Sequence, residues 1–227
     1  MTLHCAFIGF GKSTTRYHLP YVLHRKDRWH VAHIYRRRAK PEEQAPQYSH
    51  IHFTSDLDDV LNDPQVNLVV VCTHADSHFE YAKKALEAGK NVLVEKPFTP
   101  TLEEATTLFS LANSKGLTVT PYQNRRFDSC FLTTKKVIES GKLGELVEIE
   151  SHFDNYRPVA ETNPGGPQNG EFYGLGVHTL DQIISLFGRP DHVSYDLRSL
   201  RNKANPDDTF EAQLFYGDLK AIVKTSH

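Results

Sequence analysis

The chain has 227 residues, 39% of them hydrophobic, and its 26 basic against 28 acidic residues give a formal net charge of −2. This length and composition are typical of a globular protein with one or two domains and a sizeable core. The charge gives no electrostatic footprint for nucleic acid, and no apolar run approaches the ~18 residues of a membrane helix. The start of the chain lacks the pattern of a signal peptide. Three cysteines predict reduced thiols and a cytoplasmic location.

A glycine turn near the start predicts a nucleotide site. The apolar run 5–8 predicts a buried strand, and Gly9 and Gly11 separate it from a helix predicted over 14–25. In dinucleotide-binding folds the first glycine permits a tight turn, the second lets phosphates approach the backbone, and the helix start faces the pyrophosphate. Thr14 occupies the third position of the fingerprint, so the fingerprint is incomplete. An ordinary strand-to-helix turn is the alternative.

The second predicted strand, 29–35, ends in a basic run that bears on cofactor choice. An acidic residue normally closes this strand in an NAD-selective fold and binds the ribose 2′-hydroxyl. Here Arg36, Arg37 and Arg38 follow the strand, and guanidinium groups can grip a 2′-phosphate in bidentate fashion. We therefore predict NADP, with NAD as the second choice and a solvated basic turn as the alternative.

Strands and helices alternate over the first ~120 residues, which predicts a doubly wound parallel sheet of the Rossmann type and a dinucleotide-binding domain over 1–121. The pattern then changes to longer, partly alternating strands. This predicts an α+β domain over 122–227 with an open-faced, mostly antiparallel sheet, for substrate binding and oligomerisation. Because the chain stops directly after a predicted strand, we expect this domain to be incomplete. The loop 157–170, rich in Pro, Gly and Asn, is predicted to be functional.

Two segments carry side chains suited to proton transfer. Lys96 follows the buried strand predicted over 91–94, at the edge where ligands bind in an open α/β sheet. A helix predicted over 176–187 carries His178 and Asp181 on its polar face, opposite an inward stripe of Val177, Leu180, Ile184 and Phe187. A surface ion pair at Lys96 and a solvated polar helix face are the alternatives.

The histidines His74 and His78 have i, i+4 spacing, but no metal-binding motif surrounds them. His178 and Asp181 could supply further ligands, again without such a context. The sequence therefore predicts no metal site.

Taken together, these segments resemble the Gfo/Idh/MocA family (glucose–fructose oxidoreductase, inositol dehydrogenase and rhizopine catabolism). The resemblance extends over essentially the whole chain. It rests on Gly9-Phe10-Gly11, Val69-Val70-Val71-Cys72-Thr73 with His78, Leu93-Val94-Glu95-Lys96-Pro97, Asn124-Arg125-Arg126-Phe127 and Gly176-Val177-His178-Thr179-Leu180-Asp181.

The resemblance implies a nicotinamide-dependent dehydrogenase or reductase that acts on a CH–OH group of a sugar, polyol or related cyclic alcohol. Lys96, beside a cis Lys96–Pro97 bond, would bridge cofactor and substrate, His178 would be the acid/base or its relay, and Asp181 a substrate ligand. A homodimer or larger homo-oligomer is implied, without nucleic-acid or membrane partners. Further residues are expected at the cofactor: Gly9, Gly11, Lys12, Ser13, Thr14, Arg36, Arg37, Thr73, His74, His78, Glu95, Lys96, Asn124 and Arg125.

Two departures from the family pattern leave other functions open. Thr14 replaces the third glycine, and Gly174 stands where the family often has an aspartate, four residues before the histidine. The missing carboxylate is the best support for a second hypothesis, an NADP-binding regulator without turnover, beside the leading one of a dehydrogenase. A reductase of a non-sugar substrate is the third possibility. The presence of both Lys96 and His178 argues against the regulator.

Overall fold

The computed structural model describes residues 2–159 and 165–227 of the chain. The chain divides into two compact units, Met1–Tyr122 and Gln123–His227, and each has its own buried apolar clusters. Residues 160–164 of the predicted functional loop lie outside the described residues. Within the described part of the chain, no helix has both the length and the apolar character needed to cross a bilayer.

The first unit is built on six parallel strands in the order β3-β2-β1-β4-β5-β6. Valine-rich β4 lies between β1 and β5 with its last three residues buried, as expected for a central strand covered on both faces. This order is that of a doubly wound dinucleotide-binding sheet, which confirms the predicted fold. The strands are β1 (Leu3–Ile8), β2 (Trp29–Tyr35), β3 (His52–Thr54), β4 (Leu68–Val71), β5 (Asn91–Val94) and β6 (Val119–Pro121).

The helices of the first unit connect these strands. The first begins with a π-helical turn, Thr14–His18, and continues as α1. The best-capped is α4, because the Thr101 hydroxyl accepts from the Glu104 amide while the Glu104 carboxylate accepts from the Thr101 amide, both at 3.2 Å. The α-helices are α1 (Leu19–His24), α2 (Asp58–Leu61), α3 (His78–Glu87) and α4 (Leu102–Ser114), and short 3₁₀ turns lie at Pro41–Gln44, Pro46–Tyr48 and Ala75–Ser77.

The second unit contains a four-stranded sheet in the order β7-β10-β9-β8. The pairs β8–β9 and β9–β10 are antiparallel and β7–β10 is parallel, which confirms the mostly antiparallel sheet. The strands are β7 (Glu148–His152), β8 (His192–Arg198), β9 (Thr209–Tyr216) and β10 (Leu219–Thr225). Its helical segments are the 3₁₀ turn Asn124–Phe127, α5 (Ser129–Glu139), the 3₁₀ turn Pro167–Asn169, the π-helical turn Phe172–Gly176 and α6 (Val177–Phe187).

The predicted inward stripe of α6 is confirmed at Leu180 and Phe187 but wrong by one residue at Val177 and Ile184. Ile184 is 44% exposed, whereas Ile183 is 2% exposed and packs in the core with Leu180 and Phe187. The stripe begins at Gly176, where a Cβ would lie 2.9 Å from the Phe210 ring. Close approach at that glycine sets the buried face at i, i+4, i+7 and i+11. A glycine carries no apolar side chain, so hydropathy reading missed the first member.

Candidate functional site

The first unit has a cleft of about 910 Å³ beside the carboxyl ends of β1, β2 and β4. The strand order reverses at β1 and β4, and ligands bind open α/β sheets at such a point. The residues that line the cleft follow these three strands: Gly9, Phe10, Gly11, Lys12 and Ser13 after β1; Tyr35, Arg36, Arg37, Arg38 and Lys40 at the end of β2 and beyond; and Cys72, Thr73, His74, Asp76, Ser77 and Tyr81 after β4.

The two glycines of the turn have different physical roles. Gly9 has a φ of 111°, and a Cβ there would lie 2.6 Å from the Cys72 carbonyl oxygen, so only glycine fits. A Cβ at Gly11 would meet nothing within 4 Å. The bare backbone at Gly11 therefore leaves room for a ligand to approach the turn, as a pyrophosphate would require.

Thr14, at the third position of the glycine fingerprint, has a structural role. It is fully buried, and its hydroxyl donates to the Gly9 carbonyl oxygen at 2.7 Å. The side chain thus closes the turn with a hydrogen bond where the fingerprint has a third glycine. Ser13 occupies the helix N-cap position without capping the helix, because its hydroxyl donates to Glu95 instead.

The basic run after β2 is divided between two environments. Arg36 donates to both carboxylate oxygens of Glu43, at 2.7 and 3.0 Å, and this bond raises the pKa of Arg36 and lowers the pKa of Glu43. Arg37 and Arg38 are exposed at the cleft. The ammonium group of Lys40 donates to the Phe10 carbonyl oxygen at 2.6 Å. Arg36 therefore neutralises the Glu43 carboxylate, and the positive charges of Arg37 and Arg38 face the cleft.

Beneath the turn lies a buried cluster centred on Glu95. One carboxylate oxygen accepts from the His18 ring at 2.9 Å and from the Ser13 hydroxyl, and the other accepts from the Lys96 backbone amide at 3.0 Å. Burial by itself raises the pKa of Glu95, but the hydrogen bonds from His18 and Ser13 outweigh it and the pKa is lowered. Glu95 is therefore an ionised carboxylate that faces inward.

His18, Cys72 and Glu95 bring three possible metal-ligand atoms within 4.8 Å of one another. Burial raises the pKa of the Cys72 thiol to about 12, so the thiol is protonated, and Glu95 already accepts three hydrogen bonds. The chemistry of this donor set fits a hydrogen-bonded cluster better than a metal site.

The predicted cofactor residue His78 lies beneath the cleft rather than in its lining. It is 1% exposed, and its ring nitrogens lie 2.8 Å from the Pro97 carbonyl oxygen and 3.2 Å from that of Thr73. His78 therefore ties the segment after Lys96 to the end of β4. Because both ring nitrogens of His78 face carbonyl oxygens, His78 cannot bind a metal together with His74, the pairing that the i, i+4 spacing had suggested. His74 itself lines the cleft.

Lys96 follows β5 and is half-buried. The Lys96–Pro97 peptide bond is cis. The Lys96 backbone amide donates a hydrogen bond to the Glu95 carboxylate at 3.0 Å.

In the second unit, His178 and Asp181 lie on α6 with different surroundings. His178 is 4% exposed. The Asp181 carboxylate accepts two hydrogen bonds from the Arg126 guanidinium, both at 2.7 Å. Asn124 and Arg125 lie on the neighbouring 3₁₀ turn, and the Arg125 carbonyl accepts from the Gln182 side chain at 2.8 Å. Hydrogen bonds thus join α6 to this 3₁₀ turn, with Asp181 bound by an arginine and Gln182 bound to the backbone of Arg125.

A carboxylate lies close to the position where the family often has an aspartate. A Cβ at Gly174 would lie 3.5 Å from a carboxylate oxygen of Glu171. Glu171 also forms an ion pair with Arg157 at 3.3 Å, and Nε2 of His227 lies 2.7 Å from its carboxylate.

Comparison with protein families assigns both units. A family model described as "Oxidoreductase family, NAD-binding Rossmann fold" matches residues 3–123, and one described as "Oxidoreductase family, C-terminal alpha/beta domain" matches residues 135–227. The chain belongs to the Gfo/Idh/MocA oxidoreductase family. The family predicted from the motifs is therefore confirmed.

Individual relatives agree with this assignment. The uncharacterized oxidoreductase YhhX of Escherichia coli (strain K12) is 87% identical over 227 residues, 100% of this chain and 66% of YhhX. A crystal structure of YhhX matches with a TM-score of 0.97 over 100% of this chain and 66% of that one. The scyllo-inositol 2-dehydrogenase (NADP(+)) IolW of Bacillus subtilis (strain 168) is 34% identical over 98% of this chain and 62% of IolW. The chain thus spans 62–66% of the length of these relatives.

Several lining residues were not predicted as site residues. Arg38 continues the basic run, so its sequence position was a usable signal. Ser77 ends the 3₁₀ turn after β4 and Tyr81 lies in the first turn of α3, and neither had a motif of its own. His18 is 77 positions from Glu95, and no local pattern predicts that pair.

Proposed function

We propose that the protein is an NADP-preferring oxidoreductase that transfers hydride between the nicotinamide and a sugar, polyol or related cyclic alcohol. The observation that carries this proposal is the charge arrangement after β2. The carboxylate of Glu43 is bound by Arg36, while Arg37 and Arg38 are exposed at the cleft. Such a site favours a 2′-phosphate over a 2′-hydroxyl that needs an acidic partner.

The residues of the cleft fit this cofactor. The Gly9–Gly11 turn would hold the pyrophosphate together with Lys12 and Ser13, and Arg37 with Arg38 would hold the 2′-phosphate. Thr73 and His74, after β4, would lie along the nicotinamide half. Thr14, Glu95 and His78 support this proposal indirectly, because their side chains form hydrogen bonds to the backbone around the cleft. Arg36 supports it by neutralising Glu43.

The bound nicotinamide supplies the hydride acceptor or donor, and the chain supplies binding and proton transfer. In this proposal Lys96 binds the reacting substrate oxygen and exchanges its proton, and His178 is the acid/base or its relay. Asp181 is assigned to substrate binding, a role in which Arg126 would fix its orientation. The proposal assigns cofactor binding to a domain over 1–121 and substrate binding to a domain over 122–227.

The substrate class rests on the relatives. IolW is named as an NADP(+)-linked scyllo-inositol dehydrogenase, so cyclic polyols are the first compounds to assay. We also propose that the protein forms a homo-oligomer and is located in the cytoplasm. The alternative of a regulator without turnover is weakened by Glu171, which brings a carboxylate to the neighbourhood of Gly174.

A fluorescence titration with NADPH and NADH side by side tests the proposal. We expect NADPH to bind at least tenfold more tightly than NADH, the factor that a single charge-assisted hydrogen bond can contribute.

An assay with NADP(+) and scyllo-inositol then tests turnover. Lys96→Ala should reduce turnover strongly while NADPH affinity stays within about tenfold of wild type, since hydride transfer depends on proton exchange but binding does not. Equal affinity for both nucleotides would contradict the NADP preference, and unchanged turnover of Lys96→Ala would contradict the role of Lys96.

A further inference from the structure

A single buried carboxylate connects the cofactor turn to Lys96. Glu95 accepts from the Ser13 hydroxyl in the turn and from the Lys96 backbone amide. Ser13 and Lys96 are 83 positions apart, yet both depend on the position of the same side chain. Whatever fixes Glu95 therefore fixes both segments.

The third donor to this carboxylate is His18. Its Nε2 lies 2.9 Å from the same Glu95 oxygen that Ser13 uses. An ionised carboxylate has no hydrogen to donate, so Nε2–H is the donor. Hydrogen bonds to a charged acceptor are the stronger ones, and removing one donor leaves a buried charge undersatisfied.

Packing holds the His18 ring in place. The ring is 5% exposed, with its centroid 4.3 Å from that of Tyr122 and 5.9 Å from that of Phe7. The Tyr122 hydroxyl donates to the carbonyl oxygen of Tyr17, next to His18 in the chain, at 3.2 Å. These contacts hold the ring with its Nε2 directed at Glu95.

We propose that His18 is a positioning residue for the cofactor turn and for Lys96, acting through Glu95. It lies outside the lining of the cleft, so it acts on the site without being part of it. The inference rests on the proposed function, because it gives His18 a task only if the turn binds a dinucleotide.

This role predicts a characteristic pattern of affinities. Loss of the His18 donor should loosen Ser13 and the turn that holds the pyrophosphate, which NADPH and NADH share. Both affinities should therefore fall by the same factor, and the ratio between them should not change. Variants of the arginines should change the ratio instead.

The test compares His18→Leu, which removes the donor, with His18→Gln, whose side-chain amide can donate from a similar position. His24→Leu is the matched control, because His24 is exposed at the end of the same helix. By fluorescence titration we expect His18→Leu to weaken NADPH and NADH binding by about tenfold each. His18→Gln should stay within about threefold of wild type, and His24→Leu should not differ from it.

A second variant keeps the test decisive if His18→Leu does not fold. His18→Asn keeps a polar side chain that is too short to replace Nε2, so it should weaken both nucleotides about tenfold. Ser13→Ala removes another donor to the same Glu95 oxygen, so its effect on affinity and that of His18→Asn should be non-additive in the double variant. Additive effects would contradict coupling through Glu95. Wild-type affinity for both nucleotides in folded His18→Leu, with only its melting temperature lowered, would show a merely structural histidine and overturn the inference.

The two proposals fail in different ways. If the wild-type protein binds neither nucleotide, the proposed function is wrong, and the role of His18 falls with it. If the wild type binds NADPH but His18→Gln is as weak as His18→Leu, the positioning role alone is wrong.

Discussion

Arg36 and Arg37 are neighbours in the chain with different partners. Arg36 is bound to the largely buried Glu43, whereas Arg37 is exposed at the cleft. We expect Arg37→Ala to weaken NADPH binding about tenfold, because a charge-assisted contact to the 2′-phosphate is lost, with NADH binding unchanged. Parallel titrations with the two nucleotides measure this.

Arg36→Ala should act on stability first. It leaves the buried Glu43 carboxylate without its bidentate partner, a change that costs roughly 3 kcal/mol in the free energy of unfolding. Urea denaturation measures this value. Arg28→Ala is the control, since Arg28 is exposed and outside the cleft lining. A stable Arg36→Ala variant that has lost NADPH selectivity would transfer the 2′-phosphate role to Arg36.

Glu95 makes stability depend on acid pH. Burial opposes its ionisation, but the bonds from His18 and Ser13 lower its pKa below the ordinary value of 4.5. A group with a lowered folded pKa stabilises the protein above its unfolded pKa, and that stabilisation is lost as the pH falls through the folded value. We therefore expect Glu95→Gln to lose stability at pH 7 and to show a shallower decline than wild type below about pH 4.5.

Urea denaturation between pH 3 and 7 checks this difference. Glu145→Gln serves as control, because Glu145 is exposed, and its curve should follow that of the wild type. If the Glu95→Gln curve ran parallel to the wild-type curve below pH 4.5, Glu95 would not be responsible for the acid sensitivity.

At the scale of the element, the helix after β1 begins with a residue that breaks the glycine fingerprint. Thr14 is buried and its hydroxyl donates to Gly9. Thr14→Gly would complete the fingerprint, but it removes this bond and adds a flexible residue to the helix start. We expect it to lower the free energy of unfolding by about 1–2 kcal/mol without strengthening NADPH binding.

Thr14→Ser separates the two contributions, since it keeps the hydroxyl and should stay closer to wild type. Urea denaturation and NADPH titration of the three proteins give the comparison. Tighter NADPH binding by Thr14→Gly would show that the threonine impairs the site.

The sequence predicted the strands of the first unit well because their signal is local. The limits of β2 and β5 match the predicted 29–35 and 91–94, since short segments rich in β-branched, aromatic and other apolar residues need no tertiary information. The short β3, His52–Thr54, was not predicted. Its three residues are too few to show a period, and it exists through pairing with β2.

The candidate site could be predicted only where a motif carries it. The glycine turn, the basic run and Lys96 follow strands and were recognisable by position. Arg36 and Arg37 differ in their partners because Glu43, on a separate 3₁₀ turn, binds Arg36. The His18–Glu95 pair likewise joins residues 77 positions apart. Such pairs arise from the fold, so the sequence shows the residues but not their partners.

At the scale of the molecule, the sheet of the second unit has one apolar and one polar face. Phe210, Ala212, Leu214, Ala221 and Val223 form the core on one face. The opposite face shows oppositely charged neighbours, with ion pairs between Lys220 and Glu148 and, at 3.1 Å, between Lys224 and Glu211. Three rows cross this face: Glu148, Lys220, Phe215 and His192; Glu150, Ile222, Gln213 and Ser194; and His152, Lys224, Glu211 and Asp196.

Two pairs of opposite charge side by side on an open sheet suit association with a second copy of the same face, because Lys220 and Lys224 of one copy can meet acidic residues of the other. We therefore expect Glu211→Lys to disrupt the proposed homo-oligomer. It breaks a partly exposed pair, so the free energy of unfolding of the chain itself should change by no more than about 1 kcal/mol. Glu139→Lys is the matched control, since Glu139 forms an exposed pair with Lys135 on α5.

Light scattering should give a multiple of 25.8 kDa for wild type and Glu139→Lys, and the single-chain mass for Glu211→Lys. A wild-type mass of one chain would exclude the oligomer, and an unchanged mass for Glu211→Lys would place its interface elsewhere.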